Sequence, residues 1–271
     1  MHRLAAAEKE KISACVLKCR IRQPENRFDG FQAAFQSDYP KEKYMKKCVI
    51  LSGAGISAES GLQTFRDSDG LWEGHRIEDV CIPAAFARSP QTVIDFYNER
   101  RRKAAAAAPN AAHLAIARLQ QGYDTRIVTQ NVDDLHERAG SRQVLHLHGE
   151  LNKLRSSIDE GEIIGWQGDQ RLEDCDSKGR PLRPHIVWFG EEVPLIGQAA
   201  QWVEAADLLI VVGTSLKVYP AAGLLAYARA DADIYLIDPK PNLSSCRVEI
   251  IPQTACAGVP PLVEWLLAKA A

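Results

Sequence analysis

From Lys47 onward, short and continuously apolar runs alternate with stretches of helical period. CVILSG (48–53), TRIVTQN (125–131), VLHLHG (144–149), HIVWFG (185–190), DLLIVVGTS (207–215) and IYLID (234–238) are rich in β-branched residues and read as strands. NAAHLAIARLQ (110–120) and PAAGLLAYARA (220–230) repeat apolar residues every three or four positions and read as helices. Strands with no polar face, separated by helices, need cover on both sides, so the pattern predicts an α/β fold, a doubly wound parallel sheet of Rossmann-like type. Two interruptions stand out: residues 66–109, helical and basic, and residues 151–184, polar and poorly periodic. Together they predict a smaller inserted lobe within a domain spanning 47–271. Ligands of open α/β folds sit beyond the carboxyl ends of the strands, so the site is expected between the two lobes.

Residues 1–46 break the pattern with a Lys-rich amphipathic stretch (AAAEKEKISACVLKCRI) and a polar, aromatic segment ending near Tyr39-Pro40. They read as an appended basic extension, and Glu8, Glu10 and Glu25 argue against an organellar presequence, which is poor in acids. Residues 1–47 hold 11 Lys and Arg against 6 Asp and Glu, a net of +5, so the rest carries -7 to reach the chain's -2. An acidic body disfavours nucleic acid as the main ligand and suits basic peptides. Cys15, Cys19, Cys48, Cys81, Cys175, Cys246 and Cys256 form no C-x-x-C pair, and no run approaches the roughly 20 apolar residues of a membrane span. A reduced, cytoplasmic protein without membrane contact is expected.

The first strand breaks into VILSGAGISAESG (49–61), where Gly53, Gly55 and Ala58 give the spacing G-x-G-x-x-A. After a strand, such a turn presents backbone N–H groups to a phosphate. A redox dinucleotide fold places an acidic ribose ligand about 20 residues further on, whereas the next convincing strand begins near Thr125, which speaks against a dehydrogenase. Polar residues instead gather at later strand ends: Gln130, Asn131 and Asp133; His146 and His148; Thr214 and Ser215; Asp238. They outline one site.

GAGISAESG (53–61) with TFR (64–66), TQNVD (129–133), HGE (148–150), VWFGE (187–191), GTS (213–215) and VYP (218–220) resemble the sirtuins, NAD-consuming protein-lysine deacylases, and within them the bacterial CobB type. The resemblance covers roughly residues 47–268 and implies NAD as co-substrate. By it, Gly53, Ala54, Gly55, Ile56 and Ser57 receive the pyrophosphate with backbone donors and the positive end of a helix N-terminus, Phe65 and Arg66 cover the reacting ribose, and Gln130, Asn131, Val132 and Asp133 hold the nicotinamide and its ribose. Gly213, Thr214, Ser215, Asp238, Pro239, Lys240 and Ala255 line the adenosine half. Asp238 departs from the family's usual Asn; a carboxylate accepts from ribose hydroxyls but repels a 2'-phosphate, so NAD is expected over NADP. Asp134 is expected only to cap the helix that follows.

The implied chemistry breaks the bond to nicotinamide as the acyl-lysine oxygen attacks the ribose C1', then deprotonates a ribose hydroxyl. His148 matches the family's general base, with Asn131 and Asp133 beside it, and His146, expected on the same strand face, is a packing or hydrogen-bonded partner. VWFGE resembles the segment that pairs with the substrate backbone, with Val187, Trp188, Phe189 and Gly190 as substrate contacts and only one of Val187 and Phe189 lining the acyl-lysine tunnel. In FYNERRRK, Tyr97 and Arg100 share a helix face and match the sirtuin class that removes succinyl and malonyl as well as acetyl groups, since a guanidinium binds a carboxylate through two hydrogen bonds.

Most sirtuins hold a structural zinc with four cysteines. Residues 151–184 contain only Cys175, and a mixed set with Asp174, Asp176 and His185 is a poor tetrahedral site, so no metal is expected. Ile163, Ile164, Trp166 and Leu172 are expected to support the small lobe instead. The leading expectation is deacylation of acyl-lysine proteins and peptides. Mono-ADP-ribosyl transfer and a non-catalytic NAD-binding regulatory module stand as alternatives.

Overall fold

The computed structural model describes residues 45–63, 71–72, 74–159, 161–241, 243 and 245–270. All belong to one compact unit, Lys43–Ala271. Nearly all of the N-terminal extension, together with Phe65 and Arg66, lies outside the described residues. The strands in chain order are Lys47–Ser52 (β1), Leu71–Trp72 (β2), His75–Arg76 (β3), Asp124–Thr129 (β4), Val144–His146 (β5), Gly149–Ser156 (β6), Ile163–Gly165 (β7), Leu182–Ile186 (β8), Leu208–Val212 (β9), Asp233–Ile237 (β10) and Glu249–Ile251 (β11).

Six of them form a parallel sheet in the order β11-β10-β9-β1-β4-β5. β1 is central, with Ile50 paired to Ile127 on one side and Ile210 on the other. Cys48 and Ile50 enter a core beneath the helices Ala111–Arg118 and Ala255–Ala270, whereas Val49 and Leu51 enter a second core against the helix Ile196–Glu204. Burial on both faces is why the strand sequence shows no alternation. The chain runs outward from β1 to β4 and β5, then returns to lay β9, β10 and β11 on the other side, so the order reverses between β1 and β9.

The run HIVWFG does not join this sheet. β6, β7 and β8 make a separate antiparallel sheet in the order β7-β6-β8, and only His185 and Ile186 of the run belong to β8. The cause lies upstream: β5 and β6 are joined by Leu147 and His148 alone, and a parallel crossover needs a dozen or more residues, so β6 must start a new sheet. The helix Pro90–Ala106 packs Val93, Phe96 and Tyr97 against Leu151, Ile186 and Trp188 in a third core. PAAGLLAYARA forms a 3-10 helix over Ala221–Tyr227 rather than an α-helix, and β11 is a short edge strand that the pattern did not announce.

The apolar support expected for the small sheet is also corrected, because Ile163 and Leu172 are 47% and 51% exposed. Guanidinium groups tie this region together. Arg180 pairs with Asp159, Glu162 and Asp176, while Arg155 and Arg183 share Glu191. Arg101 donates to the carbonyls of Leu151 and Gly168. Among the described residues no group of three or more His, Cys, Asp or Glu is arranged to hold a metal. Asp176 is committed to Arg180 and so does not fit a zinc set.

Where β1 and β9 end, backbone meets backbone: Gly53 N donates to the Val212 carbonyl at 3.1 Å and Gly55 N to the Gly213 carbonyl at 2.8 Å. Gly213 has φ 62°, and a Cβ there would lie 2.3 Å from Ile56 N. Gly213→Ala is therefore expected to destabilise the chain by about 3 kcal/mol and to lower its thermal midpoint; an unchanged midpoint would show that the contact relaxes without cost.

Candidate active site

The carboxyl ends of β1, β4, β9 and β10, together with the turn after β5 and the segment after β8, surround a cleft of about 500 Å³. Its position matches the sheet's switch point, where the flanking connections leave in opposite directions and open a crevice. Gly53, Ala54, Gly55 and Ser57, Gln130 to Asp133, His148, Val187 to Gly190, Gly213 to Ser215, Asp238 to Lys240, Ala255 and Arg100 all line it. Thus most residues singled out from the sequence converge on one space. Ile56 does not: its side chain is fully buried in the core under β1.

The glycine turn differs in detail from its expectation. It winds into two 3-10 turns, Ala54–Ile56 and Ala58–Ser60, rather than opening an α-helix. The amides of Gly53, Gly55, Ile56 and Ser57 all donate within the protein, so the turn offers a phosphate fewer N–H groups, and a shorter dipole, than a helix N-terminus would.

Side chains knit the strand ends together. Ser57 Oγ donates to Asp133 Oδ2 at 3.2 Å and accepts from Asn131 Nδ2 at 3.1 Å. Gln130 Nε2 donates to Thr214 Oγ1 at 3.1 Å, linking β4 to β9. Asp133 Oδ1 accepts from Leu135 N at 3.2 Å, so Asp133, not Asp134, secures the start of the short helix Leu135–Arg138. Burial raises the Asp133 carboxyl, and the Leu135 and Ser57 hydrogen bonds partly offset it. Asp238, at the end of β10, is 2% exposed and accepts from Lys240 N at 2.9 Å.

His148 sits in the turn between β5 and β6, not on a strand. Its Nδ1 lies 3.1 Å from the Gln130 carbonyl. A carbonyl only accepts, so Nδ1 carries the proton and the neutral ring keeps its lone pair on Nε2. Burial lowers its pKa, against a smaller rise from that carbonyl. His146 is not on the same face as His148: β5 ends at His146, and the turn that follows separates them. Its ring reaches the Asn131 carbonyl and Glu137 instead.

Also lining the cleft, Arg100 lies 3.9 Å over the Trp72 ring. Tyr97 is fully buried behind the wall. Its hydroxyl takes the Trp188 indole N–H at 3.0 Å and lies 3.3 Å from Cys81 Sγ, so it does not face the cleft beside Arg100. The reason is helical: the two residues are neighbours along the helix, but the third core claims Tyr97. Val187, Trp188 and Phe189 all border the cleft, because the segment is irregular and does not alternate. Their amides donate to the His148 carbonyl, Glu191 and the Cys81 carbonyl. Cys81, Trp72 and Glu191 are lining residues that sequence reasoning left out. Only Glu191 carried a signal, as the last residue of VWFGE.

Residues 53–220, more than half of the chain, match the Sir2 family, and the chain belongs to that family, the sirtuins. A curated relative, the NAD-dependent protein deacylase of Aggregatibacter actinomycetemcomitans, is 59% identical over 195 residues, covering 72% of this chain and 94% of the relative. The crystal structure of a Sir2 homologue–NAD complex superposes with a TM-score of 0.76 at 39% identity, covering 84% of this chain and 92% of that one. A mutant Sir2 homologue in complex with 2'-O-acetyl ADP-ribose does so with a TM-score of 0.76 at 38% identity, over 84% and 95% of the two chains.

Because His148 is held below the ordinary histidine pKa, a reaction using Nε2 as base keeps its rate as pH falls to below about 6.5 and loses it only as the ring then protonates. A pH profile of kcat/KM checks this; an acid limb centred above about 7 would contradict it.

Proposed function

We propose that this chain is an NAD-dependent protein-lysine deacylase that removes acetyl and acidic acyl groups, succinyl and malonyl, giving nicotinamide, O-acyl-ADP-ribose and free lysine. The observation that carries this reading is that His148, with Nδ1 turned to the Gln130 carbonyl, lines the same cleft as Asn131, Asp133 and the glycine turn. In this reading the turn from Gly53 to Ser57 and the loop from Gly213 to Ser215 hold the pyrophosphate, and Asp238 takes the adenosine ribose hydroxyls. Asn131 and Gln130 meet the nicotinamide carboxamide, amide to amide, and Asp133 meets its ribose. The acyl-lysine enters past Val187 and Phe189, and its carbonyl oxygen attacks C1' as nicotinamide leaves. His148 Nε2 then takes the proton of a ribose hydroxyl, which attacks the imidate carbon. The relatives' name and the 2'-O-acetyl ADP-ribose complex of a Sir2 homologue support both substrates and product class.

Arg100 is the residue we assign to an acidic acyl group, since it lines the cleft and a guanidinium can grip a carboxylate through two hydrogen bonds. Tyr97 contributes by holding Trp188 in the wall. The domain layout that goes with this is a basic extension over 1–46 and a catalytic domain over 47–271, its smaller lobe drawn from 66–109 and 151–184. Partners are acylated proteins and peptides rather than nucleic acid, in the cytoplasm. Among the described residues no helix is long and apolar enough to cross a membrane.

Incubation with NAD and acetyl- or succinyl-lysine peptides tests the reaction. O-acyl-ADP-ribose is the expected product; ADP-ribosylated protein would indicate mono-ADP-ribosyl transfer, and neither product a regulatory module. For the acyl group, Arg100→Met is expected to lower kcat/KM on succinyl peptide by about 10- to 100-fold, the loss of a charged hydrogen-bonded contact, with a much smaller effect on acetyl peptide. Equal losses on both peptides would remove Arg100 from acyl recognition.

A further inference from the structure

Three successive carbonyls of the loop after β4 are held from β5, from the turn that follows it and from β6. His148 Nδ1 takes Gln130 at 3.1 Å, His146 Nδ1 takes Asn131 at 2.8 Å, and Leu151 N donates to Val132 at 2.8 Å. The middle hold differs in kind from the other two. His146 is 7% exposed, and its second nitrogen, Nε2, lies 2.8 Å from Glu137 Oε1. One ring nitrogen faces a carbonyl and the other a carboxylate, and neither partner can donate once Glu137 is ionised. Both nitrogens must then carry protons.

The surroundings agree with a cation at this place. Burial alone would lower the His146 pKa, but the hydrogen bond and charge of Glu137, the Asn131 carbonyl and Glu150 outweigh it and raise it, while Glu137 is lowered in turn. Asp133 also feels the positive ring. Of the groups of like sign nearby, His136 is held neutral by burial, and Lys153 is drawn off by Glu150 at 2.6 Å.

We propose that His146, kept as an imidazolium by Glu137, is a positioning residue: it fixes the backbone at Asn131 and so aims the Asn131 side chain into the cleft. It rests on the reading that Asn131 serves the nicotinamide half of NAD. The hydrogen-bond geometry gives the two histidines of VLHLHG different proton placements. His146 is the charged clamp, outside the cleft, and His148 the neutral base within it.

Paired substitutions separate this role from mere packing. His146→Asn places an amide nitrogen near the Nδ1 position and keeps a donor for the Asn131 carbonyl; His146→Gln reaches toward Glu137 and leaves that carbonyl without one. The expected result is a fall of about 10- to 100-fold in kcat/KM for NAD in His146→Gln, an acyl-peptide KM within about twofold of the parent, and substantial rescue in His146→Asn. Equal impairment of both variants would overturn the inference. So would parental rates in His146→Gln while Asn131→Ala is inactive, with the site reading left standing. Parental rates in both His146→Gln and Asn131→Ala would instead defeat the site reading, and the inference with it. Nitrogen NMR of the unmodified, histidine-labelled chain gives a second readout. At pH about 7.5, above the ordinary histidine pKa, one imidazole is expected with both nitrogens protonated, a signature lost in Glu137→Gln; its absence from the unmodified chain would overturn the proposal whatever the variants do.

Discussion

Everything in the cleft depends on how closely two stretches of backbone approach at the switch point of the sheet. Gly53 and Gly55 lie directly against Val212 and Gly213, with no side chain between them. A Cβ at Gly55 would sit 2.7 Å from the Gly213 Cα. This contact sets the spacing of β1 and β9 where their connections diverge, and the cleft is what remains above it. The polar residues of the neighbouring strand ends reach one another only because this floor is so thin.

On that floor, burial and hydrogen-bond direction assign the chemistry. Histidine titrates near neutrality, and its environment decides which form persists. His148 meets one carbonyl and loses solvent, so it stays neutral and basic. His146 meets a carbonyl and a carboxylate, and the geometry calls for protons on both nitrogens. Asp133 bonds Ser57 and Leu135 at once, which fixes its carboxylate in direction while burial raises its pKa. Hydrogen bonds between strand ends thus bring groups drawn from distant parts of the chain together in one cleft.

Much of this was legible in the sequence. The apolar runs disclosed the parallel sheet because buried strands cannot hide their composition, and the glycine spacing disclosed the turn because no other residue fits there. Whatever depended on connection length or on competition between cores was harder to read. HIVWFG resembles a sheet strand, yet the two-residue link after β5 diverts the chain into another sheet. Tyr97 and Arg100 are helical neighbours, but a core of aromatic residues takes the tyrosine. Four amides of the glycine turn are used internally, those of Ile56 and Ser57 because it curls into 3-10 turns and those of Gly53 and Gly55 because they meet the end of β9, a choice that composition does not reveal. The small lobe is held by shared guanidinium groups, and pairings such as Arg180 with three carboxylates join residues from separate turns, which no periodicity encodes.

The most direct test of the account is a crystal structure of the chain with NAD and an acyl-lysine peptide bound together. The pyrophosphate is expected across the glycine turn, the nicotinamide ribose beside Asn131 and Asp133, and His148 Nε2 within hydrogen-bond reach of a ribose hydroxyl, about 3 Å. NAD seated elsewhere, or His148 turned out of the cleft with both substrates present, would contradict it.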